Sequence, residues 1–386
     1  MQKGTRLMSE TKNEKTNAYS YGMNVLTQEP IMYNRRDSVS PCGIVGGMPG
    51  SGKTVFIKHE IKQTLDQTED DIFVIDPEMN ILVNYYDGIS KVKRIDFWNQ
   101  KAYINPMDLV LPPDFDYENP TEADLNIAVE EKADFIIGFL ELVLRVNENF
   151  DTFQAAIIRN AVVSVLKPFV KELRERKLNY DFTTNPTLAD LIEKIENQLP
   201  GVIDKDDPYL ERFLHRTSIA DEKTVAFGLD FLPDNVRPAY YYAIYEYVRN
   251  KGKINSKKTN KYTWLYLEEA HEFLNHYCNK RIDDYIKSSF KQHNSNKIIS
   301  TLITQSIRYL SESAAGQSII DNSGFMFCLP QTPNDRDFIK QTYSLSDKLL
   351  DYTKNKPCGT GILYNGQSWA PVDMRSKNEN GFKRYF

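Results

Sequence analysis

The residues best suited to chemistry form a glycine-rich segment, residues 47–54, which reads Gly-Met-Pro-Gly-Ser-Gly-Lys-Thr and fits the G-x-x-x-x-G-K-[ST] pattern at every fixed position. An apolar run precedes the segment, and residues at helical spacing follow it. In such a loop the backbone N–H groups and the helix N-terminus attract an anionic polyphosphate. The pattern predicts a nucleoside triphosphate site made by Gly47, Pro49, Gly50, Ser51, Gly52, Lys53, Thr54 and Val55.

Two side chains of this loop carry its predicted chemistry. Lys53 should reach the β- and γ-phosphates of the nucleotide, and Thr54 should coordinate Mg²⁺ through its hydroxyl group. The alternative is a chance glycine-rich turn. The strand and the helix predicted on either side of the loop argue against that alternative, because a phosphate loop requires both.

Hydrolysis also needs carboxylates that face the γ-phosphate, and a second apolar run supplies them. Residues 264–267 are apolar and are followed directly by Glu268 and Glu269. Glu268 is predicted to hold the Mg²⁺ shell through water, and Glu269 to orient or deprotonate the attacking water. The alternative is that both acids are solvated and start a helix, where their charge favours the macrodipole.

A third apolar run, residues 298–303, ends in Thr304 and Gln305. Ligands of open α/β sheets bind beyond the carboxyl ends of the strands, so Gln305 could sense the γ-phosphate or hold the water. Taken alone, a glutamine that caps the next helix is an equally good interpretation. We therefore assign Gln305 to the catalytic site only in combination with the loop and the two acids.

Strand-like runs alternate with helical segments along the chain, which is typical of an α/β fold with a mostly parallel central sheet. One long stretch has few strand-like runs and is predicted to be an inserted all-α subdomain. The sequence also predicts a helix at 238–248, a polar linker at 251–261 and a terminal hairpin that turns at Asn365 and Gly366. The predicted divisions are a flexible lead-in (1–20), a first core part (21–105), the all-α insertion (106–221), a second core part (222–375) and a C-terminal tail (376–386).

The composition describes an ordered globular chain of 386 residues, 41% of them hydrophobic. A net charge of −5 argues against a surface that binds nucleic acid throughout, although a local basic pore stays open. Cys42, Cys278, Cys328 and Cys358 are scattered without C-x-x-C pairing and predict reduced thiols. No stretch approaches about 18 uninterrupted apolar residues, so we expect a cytoplasmic protein whose membrane association depends on partners.

In this order, the motifs resemble those of the RecA-like ATPases of the FtsK/HerA group, and within that group the VirB/TrbE/TraE-type ATPases of conjugation and type IV secretion. The resemblance covers residues 20–375 and corresponds to the C-terminal ATPase part of such proteins. One departure is Glu268, since Asp is usual at that position. The motifs that carry the resemblance are residues 46–54, Asp76-Pro77-Glu78, Glu268-Glu269-Ala270-His271, Thr304-Gln305 and residues 359–363.

The resemblance implies a RecA-like P-loop NTPase core that uses ATP and Mg²⁺. It further implies a homo-oligomeric ring, such as a hexamer, docked at the cytoplasmic face of the cell membrane through inner-membrane components of a secretion channel. Such rings complete their sites with an arginine from a neighbouring subunit. Among Arg216, Arg237, Arg308 and Arg336, we favour Arg308 because it follows Gln305 by about one helical turn; the alternative is an ordinary surface arginine.

Three functions are compatible with these patterns. The first is a Mg²⁺-dependent ATPase motor of a type IV secretion or conjugative DNA-transfer apparatus. The second is a DNA-pumping translocase or coupling protein, but the densest lysine segment, 251–261, is more typical of a solvated loop. Tyr240, Tyr241 and Tyr242 could stack on bases, although their spacing favours contacts between helices. The third is a nucleotide-dependent scaffold with little hydrolysis, against which Glu269 argues.

Overall fold

One sheet of 11 strands organises the chain. The structure, a computed structural model, describes residues 18–78, 92–111, 122–145, 149–176, 182, 184–277 and 279–375. Most of the predicted lead-in, the predicted C-terminal tail and Cys278 lie outside these residues. The strands are β1 (Tyr19–Asn24), β2 (Pro30–Tyr33), β3 (Gly43–Gly46), β4 (Asp71–Asp76), β5 (Lys93–Asp96), β6 (Thr224–Gly228), β7 (Thr263–Leu267), β8 (Ile298–Thr304), β9 (Phe325–Cys328), β10 (Thr360–Tyr364) and β11 (Trp369–Asp373).

The strand order is β2-β1-β11-β10-β9-β3-β8-β7-β4-β6-β5. From β9 to β5 neighbouring strands are parallel, and beyond β9 the strands β10, β11, β1 and β2 extend the sheet in antiparallel pairs. The predicted α/β fold with a mostly parallel sheet is confirmed. β5 is a strand that the sequence patterns did not single out.

Helices follow every parallel strand except β4, whose connection to β5 includes residues outside the described part of the chain. They are α1 (Lys53–Gln67), α2 (Glu122–Val143), α3 (Thr152–Arg176), α4 (Leu188–Glu196), α5 (Pro208–Glu211), α6 (Arg237–Lys258), α7 (Ala270–Glu272), α8 (Lys280–Lys291), α9 (Ile307–Leu310), α10 (Ala314–Asn322), α11 (Pro333–Tyr343) and α12 (Asp347–Leu350). A π-helical segment, Phe273–Tyr277, follows α7, and 3₁₀ turns lie at Arg35–Asp37 and Asp351–Thr353.

Both faces of the central sheet are buried, which is why its strands read as continuous apolar runs. Ile44 and Phe73 belong to one hydrophobic cluster, which contains the buried side chains of α2 and α6. Val45 and Ile72, which are next to them in sequence, belong to a second cluster with Phe56 of α1. The strict alternation of side chains along each strand therefore places helices on both sides of the sheet.

Between β5 and β6 the described residues form helices α2 to α5 and no strand. Here α2 contacts α3 on one side and the core helices α6 and α8 on the other. The hydrophobic cluster of the sheet continues through these helices. The helical region is therefore joined to the rest of the protein by a shared core.

Among the described helices, the Thr152–Glu172 part of α3 alone is long and apolar enough to cross a membrane, a criterion that core helices of soluble proteins also meet.

The prediction of a polar linker at 251–261 is wrong for most of that segment, because α6 continues to Lys258. Lys251 and Lys253 are buried rather than solvated. The ammonium group of Lys251 donates to Ala220 O at 2.8 Å, and that of Lys253 donates to Val110 O at 3.2 Å. Acceptors from distant parts of the chain thus allow a polar sequence to form a buried helix, and sequence composition alone does not reveal them.

Tyr240, Tyr241 and Tyr242 are buried on the same helix, so the interpretation that they pack against other helices is confirmed.

Arg35 is a fully buried charge that joins the 3₁₀ turn before β3 to α1. Its Nη1 donates to both carboxylate oxygens of Glu60 at 3.1 Å and to Thr301 Oγ1 at 2.7 Å. The hydroxyl groups of Tyr21 and Tyr266 donate to the same carboxylate at 2.6 and 3.0 Å. A buried ion pair with this many hydrogen bonds has a well-defined geometry. It fixes α1 against the sheet, and with it the loop from which α1 starts.

Candidate functional site

The glycine-rich loop connects β3 to α1 at the carboxyl edge of the parallel strands. Gly47 N donates to Thr304 O at 3.2 Å, and Met48 N donates to Pro330 O at 2.9 Å. These bonds anchor the loop to the ends of β8 and β9. Because α1 begins at Lys53, its free N–H groups and partial positive charge lie at the end of the loop, as an anion site requires.

Glycine is required at several positions of this loop. Gly50 and Gly52 have φ values of 72° and 110°, in the left-handed region that other residues rarely adopt. A Cβ atom on Gly47 would lie 2.5 Å from Ser51 Oγ and 2.8 Å from Leu329 Cβ, too close for any side chain. The glycines therefore serve both the curl of the backbone and its close contact with the neighbouring strand.

Lys53 is buried, and its ammonium group lies against the loop. Its Nζ donates to Gly47 O at 2.7 Å and to Met48 O at 3.4 Å. Burial lowers the pKa of Lys53, while the carboxyl groups of Glu269 and Glu268 act in the opposite direction. The ammonium group thus contacts the loop and lies within electrostatic reach of both acids. Its contact with the β- and γ-phosphates stays a prediction.

Glu268 and Glu269 follow β7 directly. Glu268 N donates to Ile75 O at 3.0 Å, so the pairing of β7 with β4 continues up to this residue. Glu269 then adopts φ 49° and ψ 36°, a left-handed conformation that is uncommon for a non-glycine residue. Strained backbone of this kind clusters at active sites. The conformation therefore supports the assignment of Glu269 to the catalytic site.

The alternative that both acids are solvated is wrong, because Glu268 is 6% exposed and Glu269 is 9% exposed. Burial raises the pKa of Glu268 to about 8; the nearby carboxyl groups of Asp76 and Glu269 add to this effect, and Lys53 opposes it. Burial also raises the pKa of Glu269, and the hydrogen bond from Gln305 and the charge of Lys53 oppose the increase. Desolvated carboxyl groups near one another favour a bound cation or a proton.

Gln305 contacts the second acid directly. Its Nε2 donates to Glu269 Oε1 at 2.9 Å, and the other carboxylate oxygen lies 3.3 Å from His271 Nδ1. The cap of α9 is Ser306, whose hydroxyl accepts from Tyr309 N, so the interpretation of Gln305 as a helix cap is wrong. β8 lies between β3 and β7, which brings the glutamine to the acid from the adjacent strand.

Arg308 lies outside this group of contacts. Its backbone N donates to Asp335 Oδ1 at 3.0 Å, while its guanidinium is 55% exposed and lies 3.8 Å from Glu312. By contrast, Arg237 and Arg216 donate to backbone carbonyls of their own chain. The exposed guanidinium of Arg308 is accessible to a second molecule, and its role as a neighbour's arginine stays a prediction.

Thr54 and Val55 are half-buried on the first turn of α1, and Pro49 is exposed at the tip of the loop. Among the described residues no cluster of three or more His, Cys, Asp or Glu is arranged to hold a metal ion. Mg²⁺ at nucleotide sites takes only one or two protein ligands and completes its shell with phosphate and water. Thr54 and the desolvated carboxyl group of Glu268 fit an ion that binds together with the nucleotide.

Asp76 is a residue of this edge to which the sequence patterns gave no role in the site. It ends β4, the strand next to β7, and its side chain is 1% exposed. Its carboxyl group contributes to the raised pKa of Glu268, so the two acids lie within electrostatic reach. The sequence signal that identifies Asp76 is its position at the carboxyl end of a buried strand, because side chains of adjacent parallel strands meet at that edge.

Comparison with known proteins identifies the architecture. No protein-family model and no curated protein matches this sequence. Among solved structures, VirB4 of Thermoanaerobacter pseudethanolicus is similar to this chain with a TM-score of 0.70 at 17% identity, over 95% of this chain and 99% of that chain. The chain has the VirB4 fold. The predicted resemblance to VirB-type ATPases is confirmed at the level of the fold.

A second similar structure is the bacterial conjugative coupling protein TrwBdeltaN70, which is 15% identical over 93% of this chain and 89% of that chain, with a TM-score of 0.47. Within the VirB4 fold of the present chain, the phosphate loop, the two acids and Gln305 all occupy the carboxyl edge of the parallel strands. The fold thus places at one edge the groups that nucleotide hydrolysis needs.

Proposed function

We propose that this chain is a Mg²⁺-dependent ATPase motor that energises a type IV secretion or conjugative DNA-transfer apparatus. The observation that supports hydrolysis is the contact between Gln305 and Glu269 beside the buried Lys53 at the end of the phosphate loop. The VirB4 fold and the sequence motifs shared with VirB-type ATPases support the choice of apparatus.

In this proposal the residues of the site have separate tasks. The backbone N–H groups of the loop and the ammonium group of Lys53 bind the phosphates, and their positive charge stabilises the transition state. Thr54 and, through water, Glu268 would hold Mg²⁺, which would supply positive charge beside the phosphates. Glu269 orients the attacking water and accepts its proton. Because burial raises the pKa of Glu269, its carboxylate is a stronger base than a solvated one.

We further propose that the chain assembles into a ring, such as a hexamer, at the cytoplasmic face of the membrane, where channel components bind it. In the ring Arg308 of one subunit would reach the nucleotide of the next. Its exposed guanidinium supports this role, since an arginine that acts on a neighbour must project from its own subunit.

Measuring ATP hydrolysis over a wide range of protein concentrations tests both the ATPase activity and the assembly into a ring. We expect specific activity to rise steeply with concentration, because the site is completed by a neighbour. Lys53→Ala should reduce turnover by about 10²-fold or more, since a charge that stabilises the transition state is lost. Lys62→Ala is the matched control, because Lys62 lies on the same helix and its side chain is partly exposed beside Asp66. The activity of this variant should be unchanged.

Two other outcomes would replace the proposal. Hydrolysis that DNA stimulates and that added salt suppresses would favour a DNA-pumping translocase, because phosphate contacts are lost with increasing salt. Nucleotide binding without turnover at any concentration would favour a nucleotide-dependent scaffold.

A separate prediction concerns the contact between Gln305 and Glu269. Gln305→Ala should lower kcat by about 10 to 100-fold, because the carboxylate loses the group that orients it, and small displacements of catalytic groups have effects of this size. The affinity for ADP should not change. Gln317→Ala, which removes an exposed amide paired with Asp321, is the control and should retain wild-type kcat. A parallel loss of ADP affinity in Gln305→Ala would assign the glutamine to binding instead.

A further inference from the structure

The segment in front of β10 lies directly against the phosphate loop. Gly359 N donates to Ser51 O at 3.0 Å, and Met374 N donates to Gly359 O at 3.0 Å. A Cβ atom on Gly52 would lie 3.0 Å from Gly359 N and 3.1 Å from Cys358 Sγ. The chain at 357–360 is therefore held in van der Waals contact with the last residues of the loop. This contact joins segments about 300 residues apart in sequence.

The strand order determines which end of a nucleotide this segment would meet. On one side of β3 lie β8 and β7, which carry Gln305 and the two acids. On the other side lie β9 and β10, with residues 357–360 at the start of β10. Because the γ-phosphate must face the acids, the α-phosphate and the nucleoside extend toward β9 and β10. The segment stands on that side of the loop.

The exposed side chains of this segment are Pro357 and Cys358, whereas Gly359, Thr360 and Ser51 are buried. A ligand that extends beyond the phosphate loop on this side would therefore meet Pro357 and Cys358.

We propose that residues 357–360 form the wall of the site that contacts the ribose and base of the bound nucleotide. The inference rests on the proposed nucleotide-binding function and assigns to it a second binding element, distant in sequence from the phosphate loop. Cys358 is exposed on this wall, whereas Cys42 and Cys328 are buried. The thiol of Cys358 is therefore a natural reporter of the nucleoside.

Alkylation of the folded protein by iodoacetamide, followed by mass spectrometry of the Cys358 peptide, tests the wall. MgADP at saturation should slow the alkylation of Cys358 by about tenfold or more, because bound ligand excludes the reagent. Magnesium tripolyphosphate fills the phosphate loop but has no nucleoside, and it should leave the rate nearly unchanged. Equal protection by both ligands, or protection by neither, would overturn the proposal.

Binding of MgADP, measured by calorimetry on the same samples, separates this inference from the function on which it rests. If MgADP binds but does not slow the alkylation of Cys358, the proposed wall is contradicted and nucleotide binding is supported. If MgADP does not bind, both are wrong.

Two substitutions give an independent measurement. Cys358→Trp should weaken MgADP binding by about tenfold, equivalent to about 1.4 kcal/mol, and leave tripolyphosphate binding intact. Gln367→Trp, at the exposed turn between β10 and β11 and outside residues 357–360, is the control and should bind both ligands as the wild type does. Weakened binding of both ligands by Cys358→Trp would show a general disturbance of the loop and would contradict the wall.

Discussion

Replacing Glu269 by glutamine should reduce ATP turnover by about 10² to 10⁴-fold, the contribution expected of a positioned general base. Glutamine has the same shape but cannot accept the proton of the attacking water. The phosphate loop and Lys53 are untouched, so the variant should bind MgADP and MgATP with nearly wild-type affinity. Single-turnover hydrolysis together with calorimetric binding measures the two effects separately.

Glu272→Gln is the matched control for this substitution. Glu272 is an exposed acid that lies three residues further along, in α7, and it has the same charge. Its replacement should leave kcat within about twofold of the wild type, since charges in solvent are strongly screened. Unchanged turnover in Glu269→Gln would remove Glu269 from the catalytic assignment. A loss of the same size in Glu272→Gln would indicate a general electrostatic effect instead.

The parts of the site that could be predicted from sequence are those that depend on local rules. The phosphate loop is a contiguous motif, so the loop and the strand and helix on either side of it follow from the motif and the residues next to it. Glu269 and Gln305 could be brought together from sequence because the carboxyl ends of parallel strands share one edge. The structure adds their hydrogen bond and the left-handed backbone of Glu269, neither of which has a sequence signal.

The parts that could not be predicted depend on contacts between distant segments. The pairing of Arg35 with Glu60 joins two residues that look like ordinary surface charges in sequence. The sequence predicts a solvated linker at Lys251 and Lys253, because a lysine-rich segment normally avoids burial. The carbonyl oxygens that accept their hydrogen bonds, and the carboxylate of Asp71 that pairs with Lys251, come from other segments of the chain. The strand order that places residues 357–360 beside the phosphate loop is likewise a property of the whole sheet.

A buried ionic network joins the helical region to the core and is another such long-range feature. The carboxylate of Glu246 on α6 accepts from Lys132 of α2 at 2.6 Å, from Arg249 at 2.9 Å and from Tyr285 of α8 at 2.6 Å. Arg249 continues the network to Gln292 at 3.0 Å. One carboxylate therefore connects three helices. One of these, α8, is separated from Glu268 and Glu269 by α7 and the short π-helical segment.

Glu246→Gln should destabilise the protein by about 3 to 5 kcal/mol, because it leaves the buried charges of Lys132 and Arg249 without their counter-charge. Burial alone would raise the pKa of Glu246, but Lys132, Arg249 and Lys253 outweigh it and lower the pKa from 4.5 to about 2. A group whose pKa is lower in the folded state stabilises the fold above its unfolded pKa. This stabilisation is present above about pH 4.5 and is lost as the pH falls toward 2.

Urea unfolding of wild type and variant at several pH values measures this effect. The difference between the two should be largest near pH 7 and should shrink between about pH 4.5 and 2, as the wild-type carboxylate becomes protonated. Glu193→Gln, at an exposed position of α4, is the control and should change stability by no more than about 0.5 kcal/mol. A constant difference at all pH values would mean that shape, rather than charge, makes Glu246 important. Because Glu246 connects the helical region to α6 and α8, a charge-dependent loss would also show that this connection contributes to the stability of the whole chain.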